Sequence, residues 1–314
     1  GSPVIGRLIR RGLADEQMDR HYLIIDGADG RVHYVDIGKA EAFELAPEGA
    51  ILQIKPRQTE PRPADRTIAE IALANGGRYD VEIHLRHDPR ATATFAESHV
   101  RRLEAIRRFD NSVQRQAGGT WIIPVDHLER ATAYERSIAK NSPVVVQMLS
   151  STPLENLVSA EGATWLDRQL VTDSPVSLVA AGFGKEVRDA QSRRRQWLVE
   201  RDLASEEGAR IVYRSNLLAV LQRRELGRVG AQLSGELGLP FVEPAQGERI
   251  EGVYRKAVDL ISGRFALVER SRDFTLVPWR SVLERNLGRA VSGIAKGNEI
   301  SWKIERQRSG PSIS

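Results

Sequence analysis

Cysteine is absent from this 314-residue chain. That excludes disulfide bridges, thiolate zinc sites, iron-sulfur clusters and cysteine nucleophiles, and it accords with a reducing compartment. Lysine is scarce: 7 of the 46 basic residues are lysine and 39 are arginine. Arginine grips phosphate and guanine edges bidentately where lysine offers a point charge. A GC-rich genome produces the same bias without any function, so the count admits nucleic acid as a partner without demanding it. No run approaches the roughly 18 apolar residues of a membrane span, and no signal peptide is visible. These absences point to a cytoplasmic protein off the membrane. Gly1-Ser2 reads as an expression scar and the chain as a fragment of a longer protein.

The chemistry of catalysis is also missing. No serine-histidine-aspartate order or nucleophile elbow occurs. Asp26-Gly27-Ala28-Asp29-Gly30 lacks the closing glutamate of a calcium loop and reads as a turn. Gly182-Phe183-Gly184-Lys185 lacks phosphate-loop spacing. Among six histidines, only His84 and His87 lie close, beside Glu82 and Asp88. No third ligand has recognisable spacing, so the expectation is no metal, no cofactor and no catalytic residue.

Residues 65 to 127 carry the strongest pattern. Asp65 to Ala72 is a helical run stopped at Asn75-Gly76-Gly77. A short element from Tyr79 to His87 is cut off by Asp88-Pro89, and a longer helix runs from Thr92 to Phe109. A Gly118-Gly119 turn then precedes the strand Thr120 to Pro124. That order predicts a winged helix-turn-helix. On a 3.6-residue period, Phe95, His99, Leu103 and Ile106 face inward. Ser98, Arg101, Ala105 and Arg108 face outward, where guanidinium groups beside small residues suit a duplex groove. Arg102 joins them as a predicted DNA contact, with Arg115 and Gln116 on the polar wing from Asn111 to Thr120. Arg193 and Arg195 form a weaker copy of the same signal.

Short alternating strands fill both ends, so the expected class is α+β: small SH3-like β-barrels at either end flanking winged helix-turn-helix units. The predicted boundaries are a barrel over 3–56, a winged helix-turn-helix over 64–140, a linker over 141–181, a second winged-helix-like unit over 182–240, a barrel over 246–308 and a tail over 309–314. Pro56 to Pro63 reads as a stiff linker. Helix, glycine turn, strand and helix recur in both halves, which predicts a mirrored duplication. The basic C-terminal stretch from Lys303 to Ser314 is a candidate recognition tag or phosphate clamp.

Gly6-Arg7-Leu8 through Gly30-Arg31, the central run Glu161-Gly162-Ala163-Thr164-Trp165-Leu166-Asp167-Arg168, and Leu276-Val277-Pro278-Trp279-Arg280 with Ser292-Gly293 and Ile300-Ser301-Trp302 resemble the C-terminal, non-catalytic region of relaxase/mobilisation nuclease proteins of conjugative plasmids and integrative elements. The resemblance spans nearly the whole chain. It implies a bacterial parent that nicks DNA at an origin of transfer through a tyrosine and leaves by a type IV secretion system. The catalytic mark of such parents, a histidine-hydrophobe-histidine strand, is absent here, since His84 and His87 are separated by Leu85-Arg86. The resemblance therefore implies an accessory region that binds origin-of-transfer DNA, duplex or single strand. The alternative it leaves open is a protein-interaction module that docks the relaxase on relaxosome accessory proteins or the type IV coupling protein.

Overall fold

The computed structural model describes residues 3–39, 46–296 and 299–303. β1 (Val4–Asp15), β2 (Arg20–Gly27) and β3 (Val32–Lys39) form an antiparallel meander, and β4 (Ile51–Pro56) pairs with the free side of β1. Leu8, Leu23, Ile25, Leu52 and Ile54 gather on one face. Ile51, one residue from Leu52, packs on the other side against Phe183 and Trp165. Both neighbours are fully buried, so this sheet is covered on both faces there.

The fifth strand arrives late. β8 (Val144–Ser150) pairs with β4 and gives the order β3-β2-β1-β4-β8. Two expectations are thereby corrected: the first sheet is not complete within 3–56, and 141–181 is not a linker. That segment supplies β8, α5 (Leu154–Leu157) and α6 (Trp165–Val171). The stretch expected to be a free proline-bearing linker is tied down as well, because Arg57 donates from its backbone N to Pro143 O at 2.9 Å and from Nε to Ser142 O at 2.7 Å.

Between β4 and β8 the chain makes α1 (Pro63–Ala74), β5 (Arg78–Tyr79), α2 (Val81–His87), α3 (Ala93–Asp110), β6 (Gln114–Arg115), β7 (Trp121–Ile122) and α4 (His127–Asn141). The three strands form one antiparallel sheet, β5-β7-β6. Local chemistry sets the boundaries. Pro63 opens α1 where its missing N–H costs nothing, Asp80 and Thr92 accept the Ile83 and Phe95 backbone N–H groups at the starts of α2 and α3, and Asn111 ends α3 in the left-handed region. Ile68, Ile71, Tyr79, Leu103, Ile106 and Trp121 make the core. His99, Leu103 and Ile106 are buried as their spacing predicts, but Phe95 at the first turn of α3 is 52% exposed.

A second helical unit follows: α6, then α7 (Gly182–Glu200), β9 (Ala204–Glu207), β10 (Arg210–Tyr213) and α8 (Leu217–Leu237). The chain ends in β11 (Arg249–Leu260), β12 (Gly263–Glu269), β13 (Phe274–Pro278), a 3-10 turn over Ser281–Asn286, β14 (Ala290–Lys296) and β15 (Glu299–Lys303), ordered β13-β12-β11-β14-β15. Neither five-stranded sheet closes into a barrel among the described residues, so both expected barrels are corrected to open antiparallel sheets in a mixed α+β chain.

The two sheets repeat each other in part. Each starts with a twelve-residue strand paired to the second strand on one side and the fourth on the other. Each has a register shift at a matching place, between Leu8 and Arg10 in β1 and between Tyr254 and Lys256 in β11. Leu8 N donates to Ala50 O and receives Gly49 N at its carbonyl. Tyr254 does the same with Arg289 O and Gly288 N. The two sheets thus share strand order and this local bonding pattern, although the first sheet has further register shifts, such as Leu13/Asp15 and Ile51/Leu52, that the second does not repeat.

Candidate nucleic-acid interface

Outward on α3, Arg101 and Arg108 are exposed, with Ser98 and Ala105 half-buried beside them. They stand two turns apart, roughly 10 Å along the axis. Arg101 has no ion pair among the described residues. Arg108 Nε lies 3.4 Å from Glu104 Oε1, an oxygen held more closely by Arg107 Nη2 at 2.7 Å. Hydrogen bonds from Arg107 hold the Glu104 carboxyl below its ordinary range. The segment expected to be a wing is a tight β6–β7 hairpin: Gln116 N donates to Thr120 O and Gly119 N returns to Gln116 O. Thr120 Oγ1 donates to Asp80 Oδ2 at 2.9 Å, which anchors this hairpin to the start of α2. Arg115 and Gln116 are exposed, with the Arg115 guanidinium 5.7 Å from the Trp121 ring centroid.

Arg102 is a correction. Its side chain is 8% exposed and forks Asp65 from Nε and Nη2 at 2.9 and 2.8 Å, while Nη1 lies 2.8 Å from Glu135. A guanidinium buried and paired with two carboxylates in this way is turned into the fold and away from a phosphate. The helical period contained this signal, for Arg102 falls with His99, Leu103 and Ile106 in the i, i+3, i+4, i+7 stripe that faces the core. The sequence reading also missed Asp65 and Glu135. Asp65 is marked by its position: three residues after Arg62, it accepts the Arg62 backbone N–H and starts α1.

The second helical unit repeats this tie. Asp167 occupies the matching turn of α6, closes a capping box with Thr164, and is forked by Arg194 of α7 at 2.9 Å from both Nε and Nη2. Glu225 on α8 is buried like Glu135 on α4, and each is the ninth residue of its helix. Arg194 is thus structural, while Arg193 beside it is exposed and Arg195 is half-buried. The expected basic tail, from Lys303 onward, lies outside the described residues apart from the backbone of Lys303.

The histidines are rearranged from the expected pair. His87 is exposed, whereas His84 is buried with its Nδ1 2.6 Å from Tyr79 Oη and its ring 4.9 Å from that of His99. Burial pushes the Tyr79 hydroxyl up and the His84 imidazole down from their ordinary values. Among the described residues no group of three histidine, aspartate or glutamate side chains is placed to hold a metal ion, and no helix is long and apolar enough to cross a membrane.

These elements define a mixed α+β protein built from two helical units and two open five-stranded antiparallel sheets. Over residues 1–311 the chain matches the DUF3363 family, described as "Protein of unknown function (DUF3363)", and it belongs to that family. No curated protein and no solved structure matches it.

Proposed function

We propose that this chain is a non-catalytic DNA-binding region, and that its first helical unit docks α3 in a duplex major groove with the β6–β7 hairpin as a wing on the neighbouring backbone. The order helix, strand, helix, helix, strand, strand is that of a winged helix-turn-helix. The observation that carries the reading is the division of labour among the arginines of α3. Arg102 is used up inside the fold, while Arg101 and Arg108 face solvent across the small Ser98 and Ala105. The relaxase resemblance supplies the setting: an accessory part of a conjugative relaxase that grips origin-of-transfer DNA.

A guanidinium forking a guanine edge contributes about 1–3 kcal/mol of discrimination, and phosphate contacts add salt-dependent affinity. Replacing Arg101 and Arg108 together with alanine lowers duplex affinity about 10- to 100-fold and flattens the log-log salt dependence by about 2 if both touch phosphates. Arg115→Ala has a smaller effect. Unchanged affinity of the Arg101→Ala/Arg108→Ala protein in a low-salt titration removes the reading.

A further inference from the structure

In the first helical unit, α2 packs over α3, with His84 against Phe95 and His99. Among the described residues the second unit has no helix between α6 and α7 to match α2. The chain crosses from α6 to α7 through residues 172–181, and the face of α7 that matches His99 and Leu103 relative to the buried arginine carries Gln191 and Arg195 instead. A hollow of about 600 Å³ opens there, lined by Gln169, Leu170, Val176, Arg188, Arg195 and Tyr213 among others. It shares Leu170, Thr172 and Tyr213 with a second hollow of about 660 Å³ that runs on past Arg214, Ser215 and Asn216.

The groove is built rather than accidental. Arg188 Nη2 donates to Leu178 O and Val176 N donates to Gln169 Oε1, so the middle of the crossing loop is fastened to both flanking helices. Arg195 and Arg214 make no ion pair among the described residues. Asp173 is the acidic residue in the lining. The half-buried Tyr213 ring borders both hollows, and Leu170, Pro175, Val176 and Leu178 give apolar walls.

We propose that this groove binds a single strand of nucleic acid, with phosphates on Arg195 and Arg214 and a base against Tyr213. A duplex groove is entered by a projecting helix or ribbon. A concave basic channel with an aromatic side chain instead suits an unpaired strand, whose bases offer a π-face whatever their sequence. The site is separate from the duplex contact of α3 and shares no residue with it.

The test is fluorescence anisotropy with the full chain and a labelled oligothymidine, at low and moderate salt, beside a labelled duplex. Arg195→Ala/Arg214→Ala weakens oligothymidine binding about tenfold or more and reduces the salt slope by about 1. Tyr213→Leu weakens it about tenfold with the slope unchanged. Arg195→Lys, which retains the charge, stays close to wild type, and melting curves confirm that each variant is folded. Duplex affinity is untouched by these changes, just as Arg101→Ala/Arg108→Ala leaves oligothymidine binding intact. The proposal is overturned by a wild type that ignores oligothymidine or by an inert Arg195→Ala/Arg214→Ala. A neutral Tyr213→Leu with equal competition by inorganic polyphosphate also overturns it, since that describes a bare anion site. Failure of the α3 reading looks different: an Arg101→Ala/Arg108→Ala protein that binds duplex normally.

Discussion

Arg194 shows what one arginine does when it is taken out of water. Its side chain is fully buried, and besides forking Asp167 it donates to the carbonyls of Val158, Ala160 and Gly162 at 2.8–3.1 Å and lies 4.0 Å from the Trp197 ring centroid. Every N–H of the guanidinium side that faces inward is matched, as a buried charge requires. Asp167→Ala leaves that charge without its counterion and should cost about 3–5 kcal/mol in a denaturant melt. A loss under 1 kcal/mol would show that water reaches the site. His127 has the opposite character. It is 1% exposed, neither ring nitrogen has a hydrogen-bond partner, and Nε2 stands 3.9 Å from Asp65. Burial lowers its proton affinity, Asp65 raises it and Arg102 lowers it again, with a net downward shift, and His84 is shifted the same way. Both imidazoles take protons less readily folded than unfolded. Their stability contribution is therefore complete above the ordinary histidine value of about 6.5 and is lost as pH falls below it. The melting temperature should fall between about pH 6.5 and 5, and His127→Leu should flatten that fall. An unaltered pH profile in the variant would assign the dependence elsewhere.

At the scale of elements, the two long strands make a close approach that glycine alone permits. A Cβ on Gly6 would lie 2.3 Å from Asp26 O, and one on Gly252 would lie 2.4 Å from Glu269 O. Because backbone is the obstacle, Gly6→Ala and Gly252→Ala should each destabilise by about 1–3 kcal/mol in parallel. Gly227, exposed in the middle of α8 with nothing within 4 Å of a Cβ, is the control: Gly227→Ala should stabilise by about 0.5–1 kcal/mol. If the first two behave like the third, the strands yield more than their hydrogen bonds suggest. The elements themselves were largely legible. Glycine and asparagine stops and the Asp88-Pro89 break located α1 to α3 within a few residues, since each depends on neighbours in sequence. The site was half legible. Exposure of Arg101 and Arg108 followed from helical phase, but Arg102 misled because a charged residue was assumed to face out, and its partner Glu135 lies on another helix. Likewise β8 could not be assigned to the first sheet, since its partner β4 lies across the whole inserted helical unit.

At the scale of the molecule, the second helical unit is the joint between the sheets. On one side Phe183 and Val187 of α7 pack on Ile51 and Ala28, and Arg7 of β1 bridges Asp26 and Glu186. On the other, Leu226 and Leu233 of α8 pack on Phe265, Leu267, Phe274 and Leu276. The polar clamp on that second side centres on the Glu225 carboxylate. Glu225 accepts from Ile261 N at 2.8 Å, Ser262 N at 2.9 Å and Ser262 Oγ at 2.5 Å, while Ser262 Oγ accepts from Ala163 N and its carbonyl from Arg168. The turn between β11 and β12 is thus held to α6 and α8 together. Glu225→Ala strands two backbone N–H groups, one of them buried, and removes the hydroxyl's acceptor, at a cost of about 2–4 kcal/mol on the scale of lost buried hydrogen bonds. The first helical unit is rooted instead on the first sheet, through Arg57 to Ser142 and Arg20 to the Lys140 carbonyl. Hydrogen exchange in Glu225→Ala should therefore speed up in β11 and β12 while α3 and β7 keep their protection, because opening is local to the clamp that was cut. Uniform acceleration across both halves would mean that the molecule unfolds as one cooperative body and that the carboxylate merely contributes to its total stability.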